Sequence, residues 1–378
     1  MFDGLEVDML SLGDADCIVV TQWTDFGPQR VLIDGGQEAD ARVIREFLRS
    51  MNFTNFWGVL CSHLHNDHAR GLIKLVQDKS ITIHNAWMHD IRNHASSEAL
   101  RRASSGNSTN AEAVKQVLEN TRELASAFAS RNLTAQEPFA GTGIAGYPFM
   151  TVLGPSLAFY KDVLAEFTKV EVPQLTSLSF LAALSGISAE HSAPKYQNPA
   201  SLFAPALVPP PAYGELRPSL AGVLRNSRVK ENPTTQPFND TSSIIGVIFK
   251  GHRLLFTADA GSDALGQIPA EWKNLLWMQV PHHGSDGNLS QSNIERFCPK
   301  TAYVSACGDT SHPDKAIVNG LIKVGAQVFS THSLNPGHLW YWLGSVPSRT
   351  GYGPAIALKG TAIPVMTLDW LSRVHNVR

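Results

Sequence analysis

Cysteine is scarce and scattered in this chain of 378 residues. The four cysteines, Cys17, Cys61, Cys298 and Cys307, include no C-x-x-C pair. That argues against a cysteine-rich zinc module and against a disulfide framework; it fits small buried apolar residues in a reducing compartment. Charge of one sign is also lacking. The net charge is −2, so the chain as a whole is not a polybasic nucleic-acid binder, although a local basic groove is compatible with that total. Long apolar runs are missing too: spanning a bilayer takes roughly 20 residues, and the best stretch, residues 178–189, is short and broken by Ser and Gly. The opening Met1-Phe2-Asp3-Gly4-Leu5-Glu6 has neither the basic nor the apolar region of a secretory leader. The expectation is a soluble cytoplasmic protein with no membrane contact.

What is present is a dense cluster of ligand-type side chains. His63-Leu64-His65-Asn66-Asp67-His68 reads H-x-H-x-D-H. Alternation along an extended stretch aims His63 and His65 at one point. A turn into a helix then presents Asp67 and His68 to a second point nearby. A mixed imidazole and carboxylate shell of this kind suits two ions of zinc or manganese. The cluster follows the apolar run of residues 56–61, which reads as a buried strand, and precedes residues 69–76, which read as a helix. Open α/β layers place their sites at that end of a strand.

Around the cluster, strands and helices alternate. Residues 5–12, 17–22 and 30–33 read as strands, 38–51 as an amphipathic helix, 80–87 as a strand and 111–131 as a helix. Residues 156–237 break the pattern, with a helical piece at 157–168 and then Pro194, Pro199, Pro205, Pro209, Pro210, Pro211 and Pro218. Such composition resists regular structure. It is expected to be a surface insertion, a lid over the site or a contact for an oligomer or protein partner. Beyond it, strands are expected at 243–249, 253–257, 275–280, 302–305, 327–330, 339–343, 355–358 and 364–370, with helices at 290–297 and 314–324. Trp340-Tyr341-Trp342 reads as core strand or as a base-stacking surface.

The remaining ligands must come from these later strands. Asp259 ends an apolar strand, where a carboxylate can bridge two cations about 3.5–4 Å apart; a helix N-cap is the competing role. His282 and His283 end another strand. Adjacent side chains diverge, so one is expected on metal and the other behind it or facing substrate. Asp34, in Asp34-Gly35-Gly36, is expected to orient a ligand histidine or simply to make the turn. Asp16 is expected in a structural or orienting role. His312 precedes Pro313 at an expected helix start, where amide groups can meet an anion. Lys74, Arg70, Lys315 and Lys323 read as ordinary surface charges.

The H-x-H-x-D-H cluster resembles the metallo-β-lactamase superfamily. That resemblance implies an α/β fold, a four-layer αββα sandwich of the metallo-β-lactamase type. It favours His283 over His282 as the ligand, because the superfamily histidine commonly stands just before glycine. Further motifs resemble the hydrolase domain of ComEC-type competence proteins: Gly13-Asp14-Ala15-Asp16-Cys17, Leu32-Ile33-Asp34-Gly35-Gly36, Asn239-Asp240-Thr241-Ser242-Ser243, Thr257-Ala258-Asp259-Ala260, Pro281-His282-His283-Gly284-Ser285 and Ser311-His312-Pro313. The agreement excludes residues 96–141, a helical insertion, and 156–237, the proline-rich one, both within a single domain over 1–378. No counterpart of the family's membrane channel is expected, so the resemblance does not imply DNA uptake. Asp14 and Ala15 stand where the family has Gln and Gly. The superfamily's third histidine is not evident, since His84, His89, His94 and His191 all lack a strand-end context; Asn239, Asp240 or water would complete the shell. Ser285 is carried by the same resemblance as a residue beside the ligands or substrate.

The expected ligands are therefore His63, His65, Asp67, His68, Asp259 and His283, holding two divalent ions, zinc or manganese. Asp67 is expected to hold or deprotonate the water that becomes a metal-activated hydroxide, with His282 and His312 facing phosphate oxygens or a leaving group. The leading expectation is a phosphodiesterase or nuclease on DNA, RNA or a nucleotide, with DNA first by the family resemblance. A hydrolase of a small ester, lactone or lactam, and a non-catalytic partner module with a vestigial site, are the alternatives.

Overall fold

The computed structural model describes residues 2–106, 108–144, 147–169, 228–308, 312–331, 337–358 and 374–377. The chain opens as a meander of β1 (Asp3–Met9), β2 (Ile18–Thr24) and β3 (Gly27–Ile33). Period-two alternation drives it: Ile18 and Val20 enter one core, Cys17 and Val19 another. A short 3-10 turn at Glu38–Asp40 leads into α1 (Ala41–Ser50), then β4 (Asn55–Leu60), α2 (Asn66–Gln77) and β5 (Thr82–Trp87). Next come α3 (Ser97–Ala103) and α4 (Thr109–Ala129), each started by a serine side chain that accepts a backbone N–H.

The second half carries β6 (Gly143–Ile144), β7 (Tyr147–Gly154), α5 (Leu157–Phe167), β8 (Ile244–Phe249), β9 (His252–Phe256), α6 (Ser262–Gln267), β10 (Trp277–Gln279), α7 (Gln291–Phe297), β11 (Thr301–Val304), α8 (Lys315–Lys323) and β12 (Gln327–Ser330). Strands β13 (Leu339–Ser345), β14 (Tyr352–Pro354) and β15 (Val374–Val377) return to the first sheet.

The strands form two mixed sheets, ordered β14-β15-β13-β1-β2-β3-β4-β5 and β12-β11-β10-β9-β8-β7-β6. Between them lies a core of inward-facing residues such as Val7, Val20, Tyr147, Ile245, Trp277, Tyr303 and Tyr341. The outer face of the first sheet is covered by α1, α2 and α4 through Phe47, Leu72 and Val117. The outer face of the second is covered by α6, α7 and α8 through Leu265, Ile294 and Ile317. Four layers result, helix, sheet, sheet, helix, which is the αββα sandwich expected from the sequence.

Strands β3, β4 and β5 run parallel in one sheet, and β9, β10, β11 and β12 run parallel in the other. Their carboxyl ends meet along one edge. There Ser243 N donates to Ser62 O at 2.9 Å, and Gln279 Nε2 donates to Asp16 Oδ2 at 2.8 Å, tying the sheets together.

Several expectations shift. The strand expected at 355–358 lies earlier, at Tyr352–Pro354. Residues 355–358 cross instead to the second sheet, where Leu358 N donates to Val328 O at 2.8 Å. Strand β7 was not expected; Pro148 interrupts its apolar pattern and hides it. The helix expected at 314–324 runs over Lys315–Lys323, and Asp314 caps it by accepting from Ala316 N at 2.7 Å. The Asp314 carboxylate therefore already occupies the helix end expected to meet an anion. Tyr341 is core, while Trp340 and Trp342 stack on the opposite face at 4.4 Å with Arg349 over Trp340. The proline-rich stretch and the strand expected at 364–370 lie outside the described residues, apart from α5 and residues 228–237 at the ends of the 156–237 insertion.

Candidate metal centre

The H-x-H-x-D-H cluster begins just after β4. Ser62, His63 and His65 lie in bends rather than in the extended stretch expected, and α2 starts at Asn66 with His65 before it in β conformation. The first turn of α2 is locked onto the Asp34-Gly35-Gly36 turn: Gly35 N donates to His68 O and Gly71 N to Gly36 O, both at 2.8 Å. Such contact leaves no room for a side chain at Gly71, whose added Cβ would stand 1.9 Å from Gly35 O.

Three groups of ligand atoms emerge, the atoms of each inside 4.8 Å of one another. In the group of Asp16, Asp34 and His68, the bond between His68 Nδ1 and Asp34 already occupies the facing atoms. Asp67, His68, Asp259 and His283 form a second group, and His63, His65 and Asp259 a third. Asp259 belongs to the last two. It follows β9 by three residues, and the N-cap of α6 is Gly261, so helix capping is not its role.

Hydrogen bonds behind each ring fix which nitrogen faces inward. Asp34 Oδ2 accepts from His68 Nδ1 at 2.8 Å and from Ser62 Oγ at 2.6 Å, while its Oδ1 accepts from Ser62 N at 2.7 Å. Asp34 makes its turn with φ of 60°, so the turn and orienting roles coexist in one residue. Because the Ser62 proton goes to Asp34, Ser62 Oγ accepts from His63 Nδ1 at 3.2 Å. His63 Nε2 then stands bare, 3.0 Å from His65 Nδ1 and 3.6 Å from Asp259 Oδ2. His283 Nδ1 donates to Ser305 O at 2.9 Å, leaving Nε2 3.4 Å from Asp67 Oδ2. Asp16 is buried behind this set, accepting from Gln279 Nε2 and from Ser305 Oγ.

His282 and His283 have φ of 48° and 55°. Left-handed backbone costs an L residue about 1–2 kcal/mol, and here two successive residues adopt it. The conformation turns both rings toward the cluster, with centroids 5.7 Å apart, which corrects the expectation that adjacent side chains must diverge. His282 Nε2 lies 3.7 Å from Asp259 Oδ2. His312 packs its ring 5.7 Å from that of His282. Asn239 donates to Thr235 Oγ1 at 2.8 Å and reaches His282 Nδ1 at 3.4 Å. Ser285 Oγ accepts from Gly287 N at 3.2 Å within its own loop.

Three histidines from the middle of the chain stay apart. His84 is exposed and packs on Trp57, His94 pairs with Glu137 at 2.7 Å, and His89 is buried between Phe139 and Tyr160. His191 lies outside the described residues.

The electrostatics ask for cations. Burial pushes His68 down, but Asp259, Asp67 and Asp34 together outweigh it and hold its pKa well above the usual range. His283 is likewise driven up to about 10 against its burial, chiefly by Asp67, Asp16 and Asp259. His63, with burial and the neighbouring His68 both acting against its charge, is held well below the ordinary value. Burial pushes Asp67 and Asp259 up, and the surrounding imidazoles pull both below their usual range despite it. His68 Nε2 and Asp259 Oδ1 are buried 3.3 Å apart, and neither makes a hydrogen bond. Buried polar atoms of this kind call for a partner. The nitrogen and oxygen donor set fits divalent zinc or manganese.

Four side chains that serve this centre escaped the sequence reading: Ser62, Gln279, Asn288 and Ser305. Gln279 Oε1 also accepts from Thr257 N at 3.1 Å and Ala258 N at 3.2 Å, holding the loop that carries Asp259. Asn288 Nδ2 donates to Asp259 O at 2.7 Å. The signal available was a polar residue isolated within or just after an apolar strand, as Gln279 is between Met278 and Val280.

No protein-family model matches the chain, and no curated protein gives a match. Among solved structures, the chain is similar to a metallo-beta-lactamase fold protein, YhfI from Bacillus subtilis, at 10% sequence identity and a TM-score of 0.40, over 87% of this chain and 96% of that one. It is also similar to a diphosphatase from the PhnP family, at 10% identity and a TM-score of 0.36, over 81% of this chain and 87% of that one.

Proposed function

We propose that this protein is a metal-dependent hydrolase of phosphodiesters. The observation that carries the reading is the pair of ligand groups sharing Asp259, built from His63 and His65 on one side and Asp67, His68 and His283 on the other. These residues would hold two divalent ions, zinc or manganese. Ions so held supply Lewis-acid charge for a developing oxyanion and lower the pKa of water.

The protein's own groups do the rest. Asp67 is the most open of the acidic ligands, its side chain 24% exposed, and in this reading it holds and orients the attacking water. Asp34 and Ser305 keep the rings of His68 and His283 from rotating by holding their Nδ1–H groups. Burial and the charges of His283 and His282 push the pKa of His312 down to about 4. The neutral ring is suited to donate a hydrogen bond to a phosphate oxygen.

The substrate class is a phosphodiester in DNA, RNA or a nucleotide. A second reading, a small ester or lactone, draws on the surroundings of the centre. Phe238 packs 5.2 Å from the His65 ring, and the cations of α2 are engaged: Arg70 with Glu38 and Glu123, Lys74 with Glu38. An apolar wall and paired cations favour a compact substrate over a long polyanion.

The test compares wild type with Asp67→Ala on bis(p-nitrophenyl) phosphate, single- and double-stranded DNA and p-nitrophenyl acetate, in Mn²⁺ and in Zn²⁺. The expected result is phosphodiester cleavage that falls at least about a hundredfold in the variant. Cleavage of the acetate alone would transfer the reading to the small ester. Cleavage unaffected by Asp67→Ala would overturn both.

A further inference from the structure

We propose that His282 is the third imidazole of the His63–His65–Asp259 group. The assignment rests on the metal-dependent reading above and goes beyond it by replacing the substrate-facing role that the sequence suggested for His282.

Distance is the first argument. His63 Nε2 and His282 Nε2 flank the same oxygen, Asp259 Oδ2, at 3.6 and 3.7 Å. Both separations are too long for a hydrogen bond. They suit donors arranged about one tetrahedral ion, which stand about 3.4 Å apart when each bond is about 2.0–2.1 Å.

The second argument is the proton on the ring. Asn288 Nδ2 donates to Asp259 O at 2.7 Å, and a carbonyl can only accept. The Asn288 atom that meets His282 Nδ1 at 2.9 Å is therefore its Oδ1, so Nδ1 carries the proton and donates. Nε2 is left as a bare lone pair. The Asn239 amide, at 3.4 Å, is the longer of the two contacts to Nδ1.

Backbone geometry is the third. His282 stands at φ of 48°, outside the region a side chain prefers, and its N–H donates to Ala258 O at 3.1 Å. That bond ties the residue to the loop bearing Asp259. A strained conformation anchored beside a shared carboxylate has a reason if the ring must reach into the group. Among the described residues, His84, His89 and His94 lie elsewhere, and His312 packs behind the His282 ring at 5.7 Å. His282 is the further histidine whose Nε2 lies within 4 Å of the carboxylate that this group shares.

The experiment reads metal binding. Metal-free wild type, His282→Asn and His282→Ala are titrated with Zn²⁺ against a chromophoric chelator and with Co²⁺ by visible absorption. Asn accepts left-handed backbone more readily than most residues, which protects the fold of the first variant. The expected result is at least about a tenfold loss of affinity for one ion with a weaker Co²⁺ band. Nitrogen-15 NMR of histidine-labelled wild type supplies a reading without substitution: Zn²⁺ should move the Nε2 resonance of His282 into the coordinated range. An unmoved resonance, or unchanged affinities in folded variants, would overturn the assignment alone. A wild-type chain that takes up no divalent ion would overturn the hydrolase reading and this assignment with it.

Discussion

Asp34 shows how much a single residue does here. It occupies a left-handed turn, clamps Ser62 and orients His68. Asp34→Asn keeps the turn, since asparagine tolerates that backbone, but offers one acceptor oxygen instead of two. Loss of such an orienting partner weakens metal affinity about 10–100-fold. Chelator-competition titration should show that drop with little change in unfolding midpoint. Sequence made His63, His65, Asp67 and His68 legible because the four stand within six consecutive residues, between a strand and a helix. The orienting partners of these residues were less legible. Ser305 is 22 residues from His283, and Gln279 is 263 residues from Asp16. No local pattern encodes such pairs. The inward turn of His282 was not legible either, because spacing assumes ordinary backbone and its φ is not ordinary.

At the scale of elements, the junction of α2 with the β3 turn sets the height of the ligands. Gly71→Ala would push the helix off Gly35 O. The expected cost is about 1–3 kcal/mol, in line with overpacking elsewhere, and denaturant unfolding checks it. On the far face of the first sheet, Arg349 pairs with Glu6 at 3.0 Å and with Asp8, all three buried. Trp340 Nε1 also donates to Glu6 Oε1 at 3.0 Å. Arg349→Ala would strand two buried carboxylates and should cost about 3–5 kcal/mol, read by the same unfolding measurement. This network was invisible in sequence, where Arg349 lies in a polar loop; the alternation that makes β1 and β13 strands was visible. Strand β7 was missed because Pro148 masks its period. The start of α8 was legible to within one residue, and the bond from Ala316 N to Asp314 fixes it.

For the whole molecule, stability should depend on acid through His338. Burial lowers its pKa to about 4, and its Nδ1 accepts from Ser11 N at 2.9 Å. A histidine with a depressed folded pKa contributes stability that is complete above its unfolded value of 6.5 and is lost as pH falls toward 4. The loss over that window is up to about 3 kcal/mol. His338→Gln keeps an acceptor and removes the titration. Its unfolding free energy should therefore gain on wild type between pH 7 and pH 4, while equal slopes would contradict the assignment. The αββα arrangement itself was implied by the resemblance of a few motifs, and the two sheets with their three cores now give it a physical basis.

The proposed function rests on two divalent ions sharing Asp259 at the common edge of the two sheets. A crystal structure of protein loaded with Mn²⁺ or Zn²⁺, with anomalous difference maps on either side of the metal's absorption edge, tests this directly. The prediction is two peaks about 3.5–4 Å apart, one bounded by His63, His65 and Asp259 and the other by Asp67, His68, Asp259 and His283. A fully loaded crystal with no peak between these residues would contradict it.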